Sequence, residues 1–249
     1  MVDTHCHLDS CKAPDGELVR RARDAGVTRL ATVGMDGPSI QRGLVAAREH
    51  EGVVAIVGRH PHLAEGFDDE GLELIERSAA DPCARAIGET GLDYFRPRAP
   101  RADQLRAFEA QLGLAGRSGL PVVIHTREAE QDTFAMLAEH AREITVILHC
   151  FSAPSRLEEC VARGYLCSFA GNVTYKNAGA LQEAARDLPE GLLLTETDSP
   201  YLTPEPLRGT PNEPANVVHT AQFVAALRGV EYAELEATVE RNAARVLRW

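Results

Sequence analysis

Histidines and carboxylates gather where short apolar segments of the sequence end. Six of the nine histidines follow or close four such segments, and acidic residues close two others. These residues are His5, His7, His60, His62, Glu89, His125, His149, Glu196 and Asp198. Neutral imidazole and carboxylate are ligands that suit Zn²⁺, Mn²⁺ and Fe²⁺. The sequence also lacks a G-x-S-x-G elbow and a phosphate-binding P-loop, so a metal-dependent reaction is the predicted chemistry.

The first pair of histidines has the spacing of a strand that faces a site. In His5-Cys6-His7, the two-residue period of a strand sends both imidazoles to one side and the cysteine to the other. We therefore expect Cys6 to pack in the core as a small apolar residue.

The number of candidate ligands predicts two metal ions. A catalytic ion keeps one position open for water, so six protein ligands are too many for one ion. The six are His5, His7, Glu89, His125, His149 and Asp198. Glu89 is the expected bridge, because a carboxylate can bind two ions and an imidazole cannot. A carbamylated lysine is excluded as the bridge, since neither Lys12 nor Lys176 lies at the end of a predicted barrel strand.

The elements that must position these side chains alternate regularly. Eight short apolar runs are predicted strands, over residues 2–7, 28–33, 53–59, 84–89, 121–126, 145–149, 165–170 and 192–197. They lack polar alternation, which indicates burial on both faces, and amphipathic helical patterns separate them. This order predicts one α/β domain over residues 1–249, a (β/α)₈ TIM barrel whose active site lies at the carboxyl ends of the strands. The proline-rich residues 199–214 are predicted to form a long loop on that rim.

Composition narrows the classes of protein further. The net charge of −11 excludes a broadly basic nucleic-acid-binding face. The six cysteines have irregular spacing, which is typical of reduced thiols, and no apolar run is long enough to span a membrane. No signal-peptide pattern is present at the N-terminus, so we expect a cytoplasmic protein.

Six segments together resemble the TatD family of metal-dependent deoxyribonucleases. In order, they are His5-Cys6-His7-Leu8-Asp9, Gly58-Arg59-His60-Pro61-His62, residues 87–94, residues 124–129, residues 148–152 and residues 196–202. The resemblance implies a TIM barrel of the amidohydrolase superfamily that hydrolyses DNA phosphodiesters with Mg²⁺ or Mn²⁺, and Zn²⁺ stays as an alternative. Members are described as 3′-to-5′ exonucleases on single-stranded DNA, and some are implicated in DNA repair.

The resemblance also assigns the ligands. His5, His7, Glu89 and Asp198 would hold one ion, and Glu89, His125 and His149 would hold the other. In the last loop the family has Arg-Asn-x-Pro where this chain has Pro211-Asn212-Glu213-Pro214, so Pro211 replaces an expected arginine. Arg208 is the candidate to supply that charge.

Further residues receive roles in this scheme. Asp198 would accept a proton from the attacking water, His60 would contact the phosphate or protonate the leaving oxygen, and His62 would support His60. Glu196 would orient metal ligands. Arg127 is a candidate phosphate ligand, and Tyr94 and Tyr201 are candidates to stack on bases.

Two other functions stay open on the sequence alone. The same metal-activated water could attack a carbonyl, which would make the chain a small-molecule amidohydrolase or esterase. A non-catalytic barrel that binds nucleic acid or a protein is the other alternative, and the complete set of ligands argues against it.

Overall fold

A computed structural model describes residues 1–249 as a barrel of parallel strands. The eight strands are β1 (Val2–Cys6), β2 (Arg29–Gly34), β3 (Val53–Val57), β4 (Ala84–Asp93), β5 (Val122–Arg127), β6 (Val146–Leu148), β7 (Leu166–Phe169) and β8 (Leu193–Thr195). They form one sheet in sequence order, and every adjacent pair is parallel. The backbone N–H of Asp198 donates to the carbonyl of His5 (2.9 Å) and that of His7 donates to Ser199 (2.8 Å), which joins the last strand to the first. The predicted (β/α)₈ barrel is confirmed.

Nine helices surround or close the barrel. They are α1 (Asp15–Asp24), α2 (Gly37–Glu49), α3 (Asp69–Ala79), α4 (Arg101–Ser118), α5 (Glu130–His140), α6 (Leu157–Arg163), α7 (Gly179–Asp187), α8 (Val217–Arg228) and α9 (Tyr232–Leu247). Every residue of β1, β3, β6 and β8 is buried, as expected for strands that are covered on both faces. None of the helices combines the length and the apolar character that a membrane span requires.

Strand β4 is longer than the sequence predicted, and this extension shapes the site. The sequence predicts a strand over residues 84–89 that ends at Glu89. Instead β4 continues to Asp93, and its register against β5 shifts between Ile87 and Thr90. A Cβ atom at Gly91 would lie 2.0 Å from the carbonyl oxygen of His125, so only glycine permits this close approach.

The proline-rich segment forms the predicted loop after β8. The side-chain amide of Asn212 is buried and donates to the carbonyls of Thr197 (3.0 Å) and Tyr201 (2.6 Å). Glu213 pairs with Arg21 of α1 at 2.8 Å. The Asn of the family pattern therefore fixes the path of the loop over the carboxyl ends of the strands.

Two buried glutamines of α4 hold the loops that carry site residues. Gln111 accepts a hydrogen bond from the backbone N–H of Arg59 (2.7 Å) and donates to the Arg59 carbonyl (3.1 Å) and to the Thr90 hydroxyl (2.7 Å). Two helical turns earlier, Gln104 makes the corresponding bonds to the N–H (2.9 Å) and the carbonyl (3.2 Å) of Asp93. Helix α4 thus fixes the backbone after β3 and at the end of β4.

We expect Gln111→Leu to lower the free energy of unfolding by about 2–4 kcal/mol. The apolar side chain fills the same space but leaves the N–H and C=O of Arg59 buried without partners. Urea denaturation measures the change, and Gln41→Leu on the exposed face of α2 is the matched control, expected within about 0.5 kcal/mol of the wild type. Equal stabilities for the two variants would show that the Gln111 contacts are dispensable.

Candidate metal centre

The barrel brings together all six predicted metal ligands at the carboxyl ends of its strands. His5 lies in β1, Glu89 in β4 and His125 in β5. His7, His149 and Asp198 lie just beyond β1, β6 and β8. Five separate strands thus supply the cluster, which is why no local stretch of sequence contains it.

One oxygen of Glu89 faces the first group of ligands. Its Oε2 atom lies 3.4 Å from His5 Nε2 and 3.8 Å from His7 Nε2. Asp198 Oδ1 lies 3.4 Å from His7 Nε2 and 3.9 Å from His5 Nε2. The two imidazole nitrogens are 3.3 Å apart, so four donor atoms converge on one small volume.

The other oxygen of Glu89 faces a separate group of imidazoles. Its Oε1 atom lies 2.7 Å from His125 Nδ1 and 2.9 Å from His149 Nε2. His60 Nε2 is 3.4 Å away from the same oxygen. The carboxylate of Glu89 therefore stands between two sets of donors, one on each oxygen.

The chemistry of this donor set fits divalent cations. The Glu89 and Asp198 side chains have only imidazoles as ion-pair partners, and no lysine or arginine pairs with either. Two carboxylates at a buried site need positive charge nearby, which must come from imidazolium or from a bound cation. Converging imidazole nitrogens and carboxylate oxygens are ligands that Zn²⁺ and Mn²⁺ accept.

Two carboxylates behind the cluster orient its histidines. Glu196 Oε1 accepts hydrogen bonds from His149 Nδ1 (3.1 Å) and from the backbone N–H of Cys150 (2.7 Å). Asp93 Oδ2 accepts from His125 Nε2 (3.1 Å) and from His62 Nε2 (2.8 Å). Each carboxylate holds one ring nitrogen and thereby leaves the other nitrogen of the same ring directed at Glu89.

The sequence predicts this role for Glu196 but not for Asp93. Asp93 is fully buried, and its other oxygen accepts from the backbone N–H of Arg96 at 2.7 Å. Burial alone would raise the pKa of Asp93, but the hydrogen bonds from His125 and Arg96 outweigh it and lower the pKa. Asp93 lies four residues after Glu89, a spacing that places both on one face of a strand, but the predicted strand ends at Glu89 and does not include Asp93.

His60 is placed to donate a hydrogen bond rather than to bind metal. His60, Glu89 and His125 are close enough together to hold an ion. However, His60 Nδ1 accepts from the backbone N–H of His62 (3.0 Å), so the ring proton lies on Nε2, which faces Glu89. Burial lowers the pKa of His60 to about 4, which keeps the ring neutral. The structure thus brings both His60 and His62 to the cluster.

Opposing effects set the protonation of the remaining histidines. Burial lowers the pKa of His149, but the charges of Glu89 and Glu196 outweigh burial and raise it well above 6.5. The pKa of His7 is raised in the same way, through Asp198, against burial. Burial dominates at His5, whose pKa is lowered. In the absence of a cation, protons on some imidazoles therefore balance the carboxylates.

The predicted substrate-binding residues lie at the rim and differ in their surroundings. Tyr201 is 55% exposed, and its ring centroid is 6.2 Å from that of His7, so it borders the cluster. Arg127 stacks on the ring of Phe95, and Arg208 stacks on Tyr175. The hydroxyl of Tyr94 instead donates to Asp132 of α5 (2.6 Å).

Comparison with known proteins gives the family. A family model described as TatD related DNase matches residues 2–248. The chain belongs to the TatD family. Bacillus subtilis YabD, described as an uncharacterized metal-dependent hydrolase, is 36% identical over 252 residues, covering 100% of this chain and 99% of YabD.

Two further relatives extend this finding. The Erwinia amylovora protein described as the 3′-5′ ssDNA/RNA exonuclease TatD is 36% identical, with 98% of each chain covered. The crystal structure of YJJV, a TatD homologue from Escherichia coli K12, has a TM-score of 0.93 at 28% identity, covering 100% of this chain and 98% of YJJV. This TatD chain is a metal-dependent hydrolase, as its sequence indicated.

We expect Asp93→Asn to weaken metal binding by about 10- to 100-fold. The amide would donate to His125 Nε2, which would move the ring proton to Nδ1, the nitrogen that faces Glu89. Calorimetric titration with Mn²⁺ measures the affinity, and nitrogen NMR of the histidines reports the tautomer. Asp187→Asn on the surface is the matched control. Unchanged affinity together with an unchanged tautomer would refute the orienting role.

The pKa shifts predict that the metal-free protein loses stability between pH 6.5 and 8.5. His7, His125 and His149 have raised pKa values, so their stabilising contribution is complete below 6.5 and is lost as they deprotonate. Burial raises the pKa of Asp3 to about 8, so the ionisation of Asp3 also lowers the stability of the folded protein as the pH rises.

Calorimetry in EDTA and in Mn²⁺ tests this prediction. The thermal midpoint should fall with pH in EDTA, whereas Mn²⁺ should raise it most at pH 8.5, where protons no longer compete for the imidazoles. A midpoint in EDTA that stays constant or rises over this range would contradict the assigned pKa directions.

Proposed function

We propose that this TatD hydrolase is a 3′-to-5′ exonuclease that acts on single-stranded DNA and uses two divalent metal ions. The observation that carries the proposal is that the two carboxylate oxygens of Glu89 face separate sets of ligand atoms. A carboxylate that offers one oxygen to each side suits a pair of ions that act together on one phosphodiester. The exonuclease description of the Erwinia amylovora relative supports the same substrate.

The residues divide between the two ions as follows. His5, His7, Asp198 and one oxygen of Glu89 would hold the first ion, and His125, His149 and the other oxygen would hold the second. Bound there, divalent cations supply charge neutralisation of the phosphate and acidification of water. The imidazole-rich donor set favours Mn²⁺ or Zn²⁺ over Mg²⁺, which prefers oxygen ligands.

The chain's own groups handle the protons of the hydrolysis. The lowered pKa of Asp198 keeps its carboxylate ionised and able to accept a proton from the attacking water. A bond forms between the water oxygen and phosphorus, and the bond from phosphorus to the 3′ oxygen breaks. His60 Nε2–H is the donor available to the phosphate or to the leaving oxygen. Glu196 and Asp93 keep His149 and His125 in place meanwhile.

The charge of the protein favours single strands as the substrate. A chain with a net charge of −11 has no broad cationic face to hold a duplex. Recognition must therefore rest on the metal centre and on a few side chains at the rim, which reach an unpaired end more readily than a base-paired one.

Incubation with labelled oligonucleotides tests the proposed function. Metal-free protein receives Mg²⁺, Mn²⁺ or Zn²⁺ in turn and then 3′- or 5′-labelled single-stranded DNA, duplex DNA or RNA. We expect stepwise shortening from the 3′ end, faster on single strands than on blunt duplexes at equal salt. Products released from the 5′ end, or internal cuts, would overturn the proposed polarity.

Glu89→Gln is the decisive variant in this assay. An amide cannot bridge two ions equivalently, so we expect loss of at least one ion and a rate loss of several hundredfold or more, about 3–4 kcal/mol. Glu76→Gln on the exposed face of α3 is the matched control. Wild-type turnover and two bound ions in Glu89→Gln would exclude the bridge. Hydrolysis of amides or lactones in place of oligonucleotides would identify a small-molecule hydrolase instead.

A further inference from the structure

Four arginines at the rim of the barrel have no carboxylate partner. Arg96 and Arg98 follow β4, Arg127 ends β5, and Arg208 lies in the loop after β8. None of the four is within 4.0 Å of an acidic side chain, which is true also of arginines elsewhere such as Arg142 and Arg245, so the rim arginines are distinguished by their position and their aromatic neighbours. These guanidinium groups are positive charges without a carboxylate partner at the rim that also carries the metal ligands.

Two of these arginines lie over aromatic rings. The guanidinium carbon of Arg127 lies 4.0 Å from the ring centroid of Phe95, which is 47% exposed. That of Arg208 lies 3.9 Å from the ring centroid of Tyr175, whose hydroxyl donates to the carbonyl of Thr203 (3.1 Å). An aromatic ring below a guanidinium restricts its orientation without a charged partner.

Stacking leaves the hydrogen-bonding capacity of both arginines free. The N–H groups of guanidinium lie in its plane, so a ring against its face blocks none of them. Each stacked arginine therefore presents a pre-oriented fork that matches the oxygens of a phosphate. Because the orientation is set before binding, less side-chain entropy is lost when a phosphate binds.

The two stacked pairs lie on either side of the end of β6. Phe95 and Arg127 follow β4 and β5, whereas Tyr175 and Arg208 follow β7 and β8. The end of β6 between them carries His149 of the metal centre. A strand of nucleic acid that contacts both arginines would thus pass over this ligand.

We propose that Arg127 and Arg208 are two phosphate clamps that hold the backbone of a polynucleotide across the metal centre. This inference rests on the proposed function and adds to it that the preferred substrate is a chain of several nucleotides rather than a single phosphodiester. It also gives Arg208 a definite task in a loop where Pro211 replaces the arginine expected from the family.

Oligothymidylates of increasing length test the clamps on the metal-loaded enzyme. In the wild type, kcat/KM should rise from the dinucleotide to longer chains and then level off. Arg127→Ala and Arg208→Ala should each lower kcat/KM for a 12-mer by about tenfold, mainly through KM, and the loss should grow with chain length. Arg142→Ala, on an exposed arginine after α5, is the control and should match the wild type.

Salt dependence and conservative variants separate clamping from general charge. Each clamp removed should reduce the slope of log(kcat/KM) against log of salt concentration by about 0.7. Arg127→Lys keeps the charge without the planar fork and should recover less than half of the lost activity. Phe95→Leu should lower kcat/KM for long substrates by about threefold, because Arg127 keeps its charge but loses the ring that orients it.

The outcomes distinguish this inference from the proposed function. If the wild type hydrolyses no oligonucleotide of any length, the proposed function fails. If it hydrolyses all lengths equally well, or if both alanine variants behave as Arg142→Ala does, the clamps alone are refuted. Full recovery by Arg127→Lys would likewise overturn the stacked fork and leave only a point charge.

Discussion

A buried carboxylate without a permanent cation is the constraint on which this site depends. Glu89 is 2% exposed, and every ion-pair partner it has is an imidazole. Ionising such a group is costly unless positive charge stands close to it. Imidazole supplies that charge in either of two ways, by holding a proton or by holding a metal ion. The negative charge of the cluster is thus balanced in both the protonated and the metal-bound state, and protons and metal ions compete for the same imidazole nitrogens.

The barrel meets this constraint by distributing the cluster over rigid elements. Five strands supply the ligands, so the imidazoles are fixed by several parts of the sheet and cannot move independently of it. Behind them, Asp93 and Glu196 select which ring nitrogen faces Glu89. Helix α4 then fixes the backbone of Asp93 through Gln104. Helix α4 therefore positions the end of β4, and the carboxylate there orients a metal ligand.

The sequence was sufficient to predict the barrel and the convergence of the six candidate ligands, because both follow from local patterns. Strands buried on two faces are short apolar runs, and a barrel places the residue after each run at one rim, so each ligand could be located separately. The missed features depend on contacts between distant segments. The predicted strand ends at Glu89, whereas β4 passes His125 closely at Gly91 and continues to Asp93, and this error concealed Asp93. The stacking of Arg208 on Tyr175 joins two loops that no periodicity relates.

The distribution of charge connects the metal centre with the rim. A net charge of −11 repels a polyanion at long range, so association cannot rely on the general field of the protein. At short range the balance differs, because the arginines at the ends of β4, β5 and β8 have no carboxylate partner and the metal centre would add the charge of bound cations. Because screening limits this attraction to about one Debye length, roughly 8–10 Å, it would stabilise only a nucleic-acid strand that already lies close to the rim. If the proposed function holds, an acidic surface with unpaired arginines at this rim would disfavour binding of a nucleic acid elsewhere on the molecule and would direct it to the metal centre.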